Sequence, residues 1–383
     1  MSEMEFKKIK DLTVLGGGDV FGSSLSAIFW FYLASQIEPE SFGEIHWFLG
    51  LAGIFSSIAL FGTFNTITVY AAKKIQLQST LFLISLIASA ILSSIVILIF
   101  PSFYTIDIGL ILIAYVINTL AIGDILGRKQ YSSYSKYIII QKGLTLGLGL
   151  LFFHIFGYEG IIFALALSYI FFLKRIISVF KEMKIDLNLF KKKIRFITNN
   201  YLIYLITGAI GGGQVDKIIV APLLGFTMLG NYNLALQAVN IMMITSSISY
   251  KYLLPQDATN QNNKKLKVIV VIISISVAFC GIFLGPYLID TFFMKYIDAK
   301  QAIQIMSVAI IPGTIALILQ SEFLGKENSK VVLMGNSIST GILVVGMIGL
   351  GLNFGIAGLA ISLILANTSK MIIFLIFKII RRN

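Results

Sequence analysis

The sequence predicts an all-α polytopic membrane protein of about twelve transmembrane helices, in two pseudo-symmetric six-helix bundles with both termini cytoplasmic. Three observations predict it: a dozen long apolar stretches, basic residues confined to alternate gaps between them, and a weak match between the two halves. A span needs roughly 20 apolar residues to cross the hydrocarbon core, and its backbone amides must be satisfied within the helix. Of the 383 residues, 57% are hydrophobic and only 13% charged, with mean hydropathy +0.89. Little water-facing surface can be built from that composition.

In order, the expected spans are 12–36, 44–70, 79–100, 106–127, 137–156 and 159–180, then 199–222, 228–253, 267–289, 301–321, 331–352 and 355–379. The longest gap, 181–198, is too short for a globular domain. The first span is too long for a cleavable signal peptide and no small-residue cleavage site follows it, so it is expected to stay as a helix. Cys280, the single cysteine, lies in the ninth span, where a packed apolar thiol without redox role is expected.

The net charge of +12 does not point to nucleic acid, because of how it is distributed. Lys and Arg accumulate in cytoplasmic loops, since carrying them across the membrane is unfavourable. The N-terminus has Lys7, Lys8 and Lys10, and the following even-numbered gaps hold groups such as Lys73 and Lys74, Arg128 and Lys129, and Lys264, Lys265 and Lys267. Of the 30 basic residues, only Lys217, Lys295 and Lys300 depart from that side. A multi-pass protein of the cell (plasma or inner) membrane follows.

The most basic gap divides the chain into a bundle over 1–180, a cytoplasmic linker over 181–198 and a bundle over 199–383. In the linker, Phe190, Ile194 and Ile197 oppose Lys191, Lys192 and Arg195 at helical spacing, which suits a segment lying on the inner leaflet among anionic headgroups. Phe42-Gly43-Glu44-Ile45 matches Leu229-Gly230-Asn231-Tyr232 at an offset of 187, and Gly157-Tyr158-Glu159-Gly160 matches Gly355-Ile356-Ala357-Gly358 at 198. Six spans per half make the repeats parallel, an arrangement common among transporters that rock one bundle against the other.

With these residues on the page, the chain resembles the polysaccharide-unit (oligosaccharide) flippases of the multidrug/oligosaccharidyl-lipid/polysaccharide exporter superfamily. Glu38-Pro39-Glu40-Ser41-Phe42-Gly43 is similar to the family's acidic-Pro-Glu-x-Phe-Gly turn after span one. Asp216-Lys217-Ile218-Ile219, then Leu224-Gly225 and Leu229-Gly230-Asn231-Tyr232-Asn233-Leu234-Ala235, is similar to its Asp-basic-aliphatic stretch and Gly-x-Tyr-x-x-Ala. Two features depart from the pattern: Ala34-Ser35-Gln36 stands where many members have an arginine, and Asn199-Asn200-Tyr201 where a proline is frequent. The resemblance implies a protein that moves polyprenyl-linked oligosaccharides outward, in company with membrane lipids, a glycan polymerase and glycosyltransferases.

Ionisable groups inside spans are costly and tend to face a cavity or a partner. Asp19 lies in span one among Gly16, Gly17, Gly18, Gly22, Ser23 and Ser24; it suits a proton or sodium site, or a carboxylate paired to a lysine for assembly. Asp216 and Lys217 are adjacent in span seven, about 100° apart on a helix, so each needs its own partner. Lys142 and Lys370 lie in the inner halves of spans five and twelve and can serve as counter-charges for a pyrophosphate, or snorkel to headgroups. Among in-span amides, Asn65 and Gln237 are candidates for sugar hydroxyls, with Asn118, Asn240, Gln320 and Asn336 beside them; tying helices together is the alternative. Pro312-Gly313 marks an expected kink in span ten.

No cofactor or metal is expected, since the two histidines, His46 and His154, have no metal-ligand spacing. Neither an Asp-x-Asp sugar-nucleotide pattern nor a phosphate loop occurs, so an enzyme is not expected. The expectation is a flippase working by alternating access. A cation-coupled multidrug exporter of the same superfamily is the alternative, and a membrane-embedded polymerase or acyltransferase a more distant one.

Overall fold

The computed structural model describes residues 3–99, 105–205, 215–261 and 263–380, and among these every regular element is helical. The helices are α1 (Glu3–Gln36), α2 (Pro39–Ala59), α3 (Phe64–Ala72), α4 (Gln78–Ile99), α5 (Thr105–Gly127), α6 (Tyr131–Phe156), α7 (Ile161–Ser168) and α8 (Leu173–Glu182). They continue with α9 (Leu187–Tyr204), α10 (Val215–Met242), α11 (Ile244–Asp257), α12 (Lys264–Phe292), α13 (Ala299–Val308), α14 (Ile310–Gly325) and α15 (Ser329–Ile380).

Eight helical runs among the described residues are long and apolar enough to cross a membrane, and the pair α13–α14, bent by 47°, makes a ninth. Two of the runs, 131–182 and 329–380, contain 52 residues each. A straight helix of that length would extend about 78 Å, against a hydrocarbon core of about 30 Å, so each supplies two spans. The breaks fall at Gly157 (φ 69°) and Gly355 (φ 56°), in backbone conformations that favour glycine. Likewise α10 folds back at Gly225 (φ 87°), which separates the seventh and eighth spans.

Twelve spans result, near the expected windows: α1, α2–α3, α4, α5, α6, α7–α8, α9 with the start of α10, the rest of α10 with α11, α12, α13–α14, and the two parts of α15. Residues 206–214 of the seventh expected span lie outside the described residues, as do Arg381 and Arg382. The bend in span ten falls at Ala309, one turn before Pro312, where the proline ring meets the preceding turn.

The two halves repeat each other in their turns. Helices α3, α5, α11 and α14 end on residues with positive φ: Lys74, Lys129, Asn260 and Glu327. Each turn closes with the same pair of backbone bonds, as in Gln130 N–H to the Ile125 carbonyl and Lys129 N–H to the Leu126 carbonyl, a left-handed helix cap. Lys74 and Asn260 are 186 positions apart, one short of the first glycine motif's offset of 187, and Lys129 and Glu327 are 198 apart, equal to the second's.

Those glycines make the closest contact between the halves, where α2 packs along α10. A Cβ on Gly43 would lie 2.2 Å from the Phe226 carbonyl oxygen, and one on Gly230 would lie 2.0 Å from the Pro39 carbonyl oxygen. Pro39 and Phe226 are themselves 187 positions apart. The contact is therefore a two-fold one: each half sets its glycine on the backbone of the other.

Close packing elsewhere also follows glycine. Gly18 and Gly22 seat α1 on Ser135 and Ile138 of α6, while Gly281 and Gly285 seat α12 on Ser307 and Ile303 of α13. Gly143 and Gly147 face open space, so that pair is not a packing motif. Cys280 corrects the expected packed thiol: it is exposed on α12 beside Phe279, Phe283 and Leu284, on a face whose apolar side chains suit lipid. Most of the expected linker is helical, since Asp186 caps α9 by accepting from the Leu189 N–H at 2.8 Å.

Substituting alanine for either glycine at the two-fold contact should lower the thermal stability of the detergent-purified protein by about 1–3 kcal/mol, because backbone atoms cannot step aside. Gly17→Ala, whose Cβ would meet nothing within 4 Å, should be neutral. Equal melting temperatures for Gly43→Ala, Gly230→Ala and Gly17→Ala would remove the proposed joint.

Candidate functional site: the polar seam between the halves

Three charged side chains inside the spans, Asp19, Lys142 and Lys251, gather where the halves meet. Asp19 of α1 is buried and accepts a hydrogen bond from the Tyr134 hydroxyl of α6 at 2.5 Å. From the other half, the Lys251 ammonium of α11 donates to both Asp19 oxygens, at 3.0 and 2.8 Å, and to the Tyr134 hydroxyl at 2.7 Å. Asp19 is therefore already neutralised, as the pairing alternative anticipated, and its partner reaches across the seam. Sequence reasoning missed Lys251 by counting it with the loop cations; its place two residues inside the eighth span was the available signal.

This triad opens onto a cavity of about 290 Å³ lined by Lys142, Asn118, Gln141 and Asn240 as well. A second cavity of about 390 Å³ adjoins it, sharing Asn118, Ile122, Ser247 and Lys251, and adds Asn65, Tyr250 and Gln320. Within it the Tyr250 hydroxyl donates to Asn65 Oδ1 at 2.7 Å, and Gln320 Nε2 donates to Tyr250 at 3.4 Å, a relay from α14 through α11 to α3. Lys142 makes no ion pair among the described residues, so the two cavities hold two ammonium groups against one carboxylate. A burial cost of several kcal/mol is expected for such a cation in hydrocarbon, and facing a polar cavity avoids it.

Other expected site residues lie elsewhere. Asp216 is buried and accepts from the Tyr232 hydroxyl at 3.2 Å and the Lys217 N–H at 2.8 Å, which makes it a tie within α10. Gln237 Nε2 stands 3.4 Å from the His46 Nε2 and His46 Nδ1 is 2.8 Å from the Phe42 carbonyl, beside the glycine joint. Lys370 sits 6.0 Å from the centre of the Phe374 ring on its own helix, and it lines neither cavity. Of the expected set, then, Asp19, Lys142 and Asn65 come together; Asp216, Lys217, Gln237 and Lys370 do not join them.

The seam is bridged at both ends. At the basic end, Lys73 pairs with Glu327, and Lys129 donates to Thr259 at 3.0 Å and to Gln256 at 3.3 Å. These contacts join the four capping turns in two pseudo-equivalent pairs. At the opposite end, beyond the glycine joint, the Tyr296 hydroxyl donates to the Ile37 carbonyl at 3.4 Å and Lys295 pairs with Glu38 at 2.7 Å.

Below the seam, each half fastens its own spans with a carboxylate that sequence reasoning had passed over. Asp124 of α5 is fully buried and is held by Arg128 at 2.9 Å and Arg175 at 2.8 Å. Glu322 of α14 is held by Lys267 and Lys378, each at 2.8 Å. At the C-terminal end of α8, Glu182 accepts from the Ser178 hydroxyl at 2.7 Å and from the Arg128 guanidinium at 2.6 Å. Among the described residues no group of His, Cys, Asp and Glu could hold a metal ion.

A double-mutant cycle on Asp19→Asn and Lys251→Gln, read as thermal stability, should give a coupling of about 1–3 kcal/mol, since either single change leaves a desolvated charge or an unfilled partner. Additive effects within about 0.5 kcal/mol would show that the pair does not join the halves.

No protein-family model matches the chain, and no curated protein does. Solved structures do match. A MOP superfamily transporter from Pyrococcus furiosus Vc1 (DSM3638) aligns with a TM-score of 0.69 and 13% identity over 98% of this chain and 96% of that one. A multidrug resistance MATE family transporter of the same superfamily, in an outward-facing conformation, aligns at 0.68 and 15% identity, with 98% and 96% covered. The Vibrio cholerae MATE transporter VcmN aligns at 0.67 and 12% identity, with 98% of each chain covered. Identities this low establish architecture only. The chain has the fold of the MOP superfamily transporters.

Proposed function

We propose that the protein is a transporter that moves a lipid-linked oligosaccharide repeat unit from the cytoplasmic to the outer leaflet, for surface polysaccharide synthesis. The observation that carries this reading is the polar seam, with its excess of ammonium groups and its run of amides and hydroxyls. An anionic phosphate bearing sugars would find counter-charge at Lys142 and hydrogen-bonding partners at Asn65, Asn118, Asn240 and Gln320. The polyprenyl tail would remain in lipid, outside the seam.

Movement would follow the contacts already described. Opening the basic end parts Lys73 from Glu327 and Lys129 from Thr259, which admits the headgroup from the cytoplasm. Opening the opposite end parts the glycine joint and releases it. The Asp19–Lys251 pair lies between, so a change of charge at the cavity acts directly on a bond between the halves.

Multidrug export is the second reading, favoured by the multidrug MATE transporter among the structural neighbours. An exporter of organic cations would want a cavity of the opposite sign. The two readings part in reconstituted vesicles. Protein-dependent flipping of a labelled polyprenyl-linked oligosaccharide supports the first; no acceleration over empty vesicles, with drug transport present, overturns it. Lys142→Ala should slow flipping about tenfold or more, the loss of one charge-assisted contact. Lys370→Ala should change the rate less than threefold, and the reverse order would remove Lys142 from the path.

A further inference from the structure

A third cavity, of about 400 Å³, lies at the basic end and shares no lining residue with the two cavities of the seam. Its walls include Lys192, Lys193 and Arg195 of α9, Lys330 at the start of α15, Glu327 and Tyr70 of α3. Four cations thus face one carboxylate, and that carboxylate is already engaged by Lys73. Tyr70 is 1% exposed, and its hydroxyl has no hydrogen-bond partner. A buried hydroxyl left unpaired is unfavourable, because it has given up its hydrogen bonds to water without replacing them. The Lys193 ammonium lies 5.8 Å from the centre of the Tyr70 ring, so cation and unpaired phenol share one wall.

From this arrangement we infer that the cavity binds the anionic phosphate of a lipid headgroup. A phosphate supplies what is missing: negative charge for the excess cations, an oxygen for the Tyr70 hydroxyl and a pair of oxygens for the forked donors of the Arg195 guanidinium. Its position selects a lipid over a soluble anion. Helix α9 carries these cations together with exposed Ile194 and Leu202, so the cavity sits where headgroups give way to hydrocarbon. Tyr70 belongs to the first half, Lys330 to the second, and the other three cations to the part of α9 that leads into the second half. A phosphate held by both ties the halves together beside the Lys73–Glu327 contact and favours closure at that end. The site is separate from the seam and does not depend on which substrate the seam carries.

Two lipids offer this chemistry, an anionic phospholipid and a polyprenyl pyrophosphate, and binding to the full-length protein in uncharged detergent distinguishes them. Native mass spectrometry would follow titration with phosphatidylglycerol, with polyprenyl pyrophosphate and with zwitterionic phosphatidylcholine. At least one of the first two should bind saturably and more tightly than phosphatidylcholine. K192Q/R195Q/K330Q should weaken that binding about tenfold or more, and K181Q/K184Q/K191Q, which removes equal charge from the same region outside the cavity, should leave it unchanged. Y70F, which removes a single oxygen and keeps the test readable should the first triple variant fold poorly, should weaken it about threefold. Equal losses from both triple variants would reduce the effect to general attraction and overturn the site. So would binding of both phosphate lipids no tighter than that of phosphatidylcholine.

Discussion

Charge in hydrocarbon is the constraint on which the rest of this structure depends. An ionisable side chain in a span must find a partner, a polar cavity or the headgroups, and here the three solutions sort by place. Asp124 and Glu322 are bound by cations of their own half and fasten spans to one another. Asp19 is bound by a cation of the other half. Lys142 makes no ion pair among the described residues and faces the cavity instead. The polar cavities between the halves give those groups a place away from hydrocarbon.

The seam is bounded by contacts that repeat about a two-fold axis. At one end, Gly43 and Gly230 bring each half onto the other's backbone. At the other, Lys73–Glu327 and Lys129–Thr259 join corresponding capping turns. The ends differ in kind. Backbone packing is dry and depends on shape, whereas the turn contacts are polar, part-exposed and weakened by salt. A bundle pair held this way has a firm joint at one end and a looser one at the end with the basic residues.

Much of this was legible in the sequence, and for a physical reason. Apolar length and basic-gap asymmetry are properties of single segments, so twelve spans and their turns could be read without tertiary information. The glycine matches also proved structural, for two reasons: at the 187 offset Gly43 and Gly230 touch backbone of the other half, and at the 198 offset Gly157 and Gly355 take the positive φ that breaks a helical run into two spans. What could not be read was pairing across the chain. Lys251 looks like a loop cation until α11 is seen to carry it against Asp19, 232 positions away. Asp216 and Lys217 look like a site, yet the Asp216 side chain is satisfied within α10. Lys142 could be singled out from its place inside a span, which is local information, and it lines the cavity. Cys280 was misplaced because an apolar window does not say which of its faces meets lipid.

We propose that the two halves part and rejoin around the seam, and this motion can be measured. It is tested most directly by fastening the basic end. In a Cys280→Ala background, Lys73→Cys and Glu327→Cys would be joined by a cleavable bis-thiosulfonate and the protein reconstituted in vesicles. Flipping of polyprenyl-linked oligosaccharide should stop on cross-linking and return when the link is reduced. An undiminished rate with the ends still joined would contradict the account.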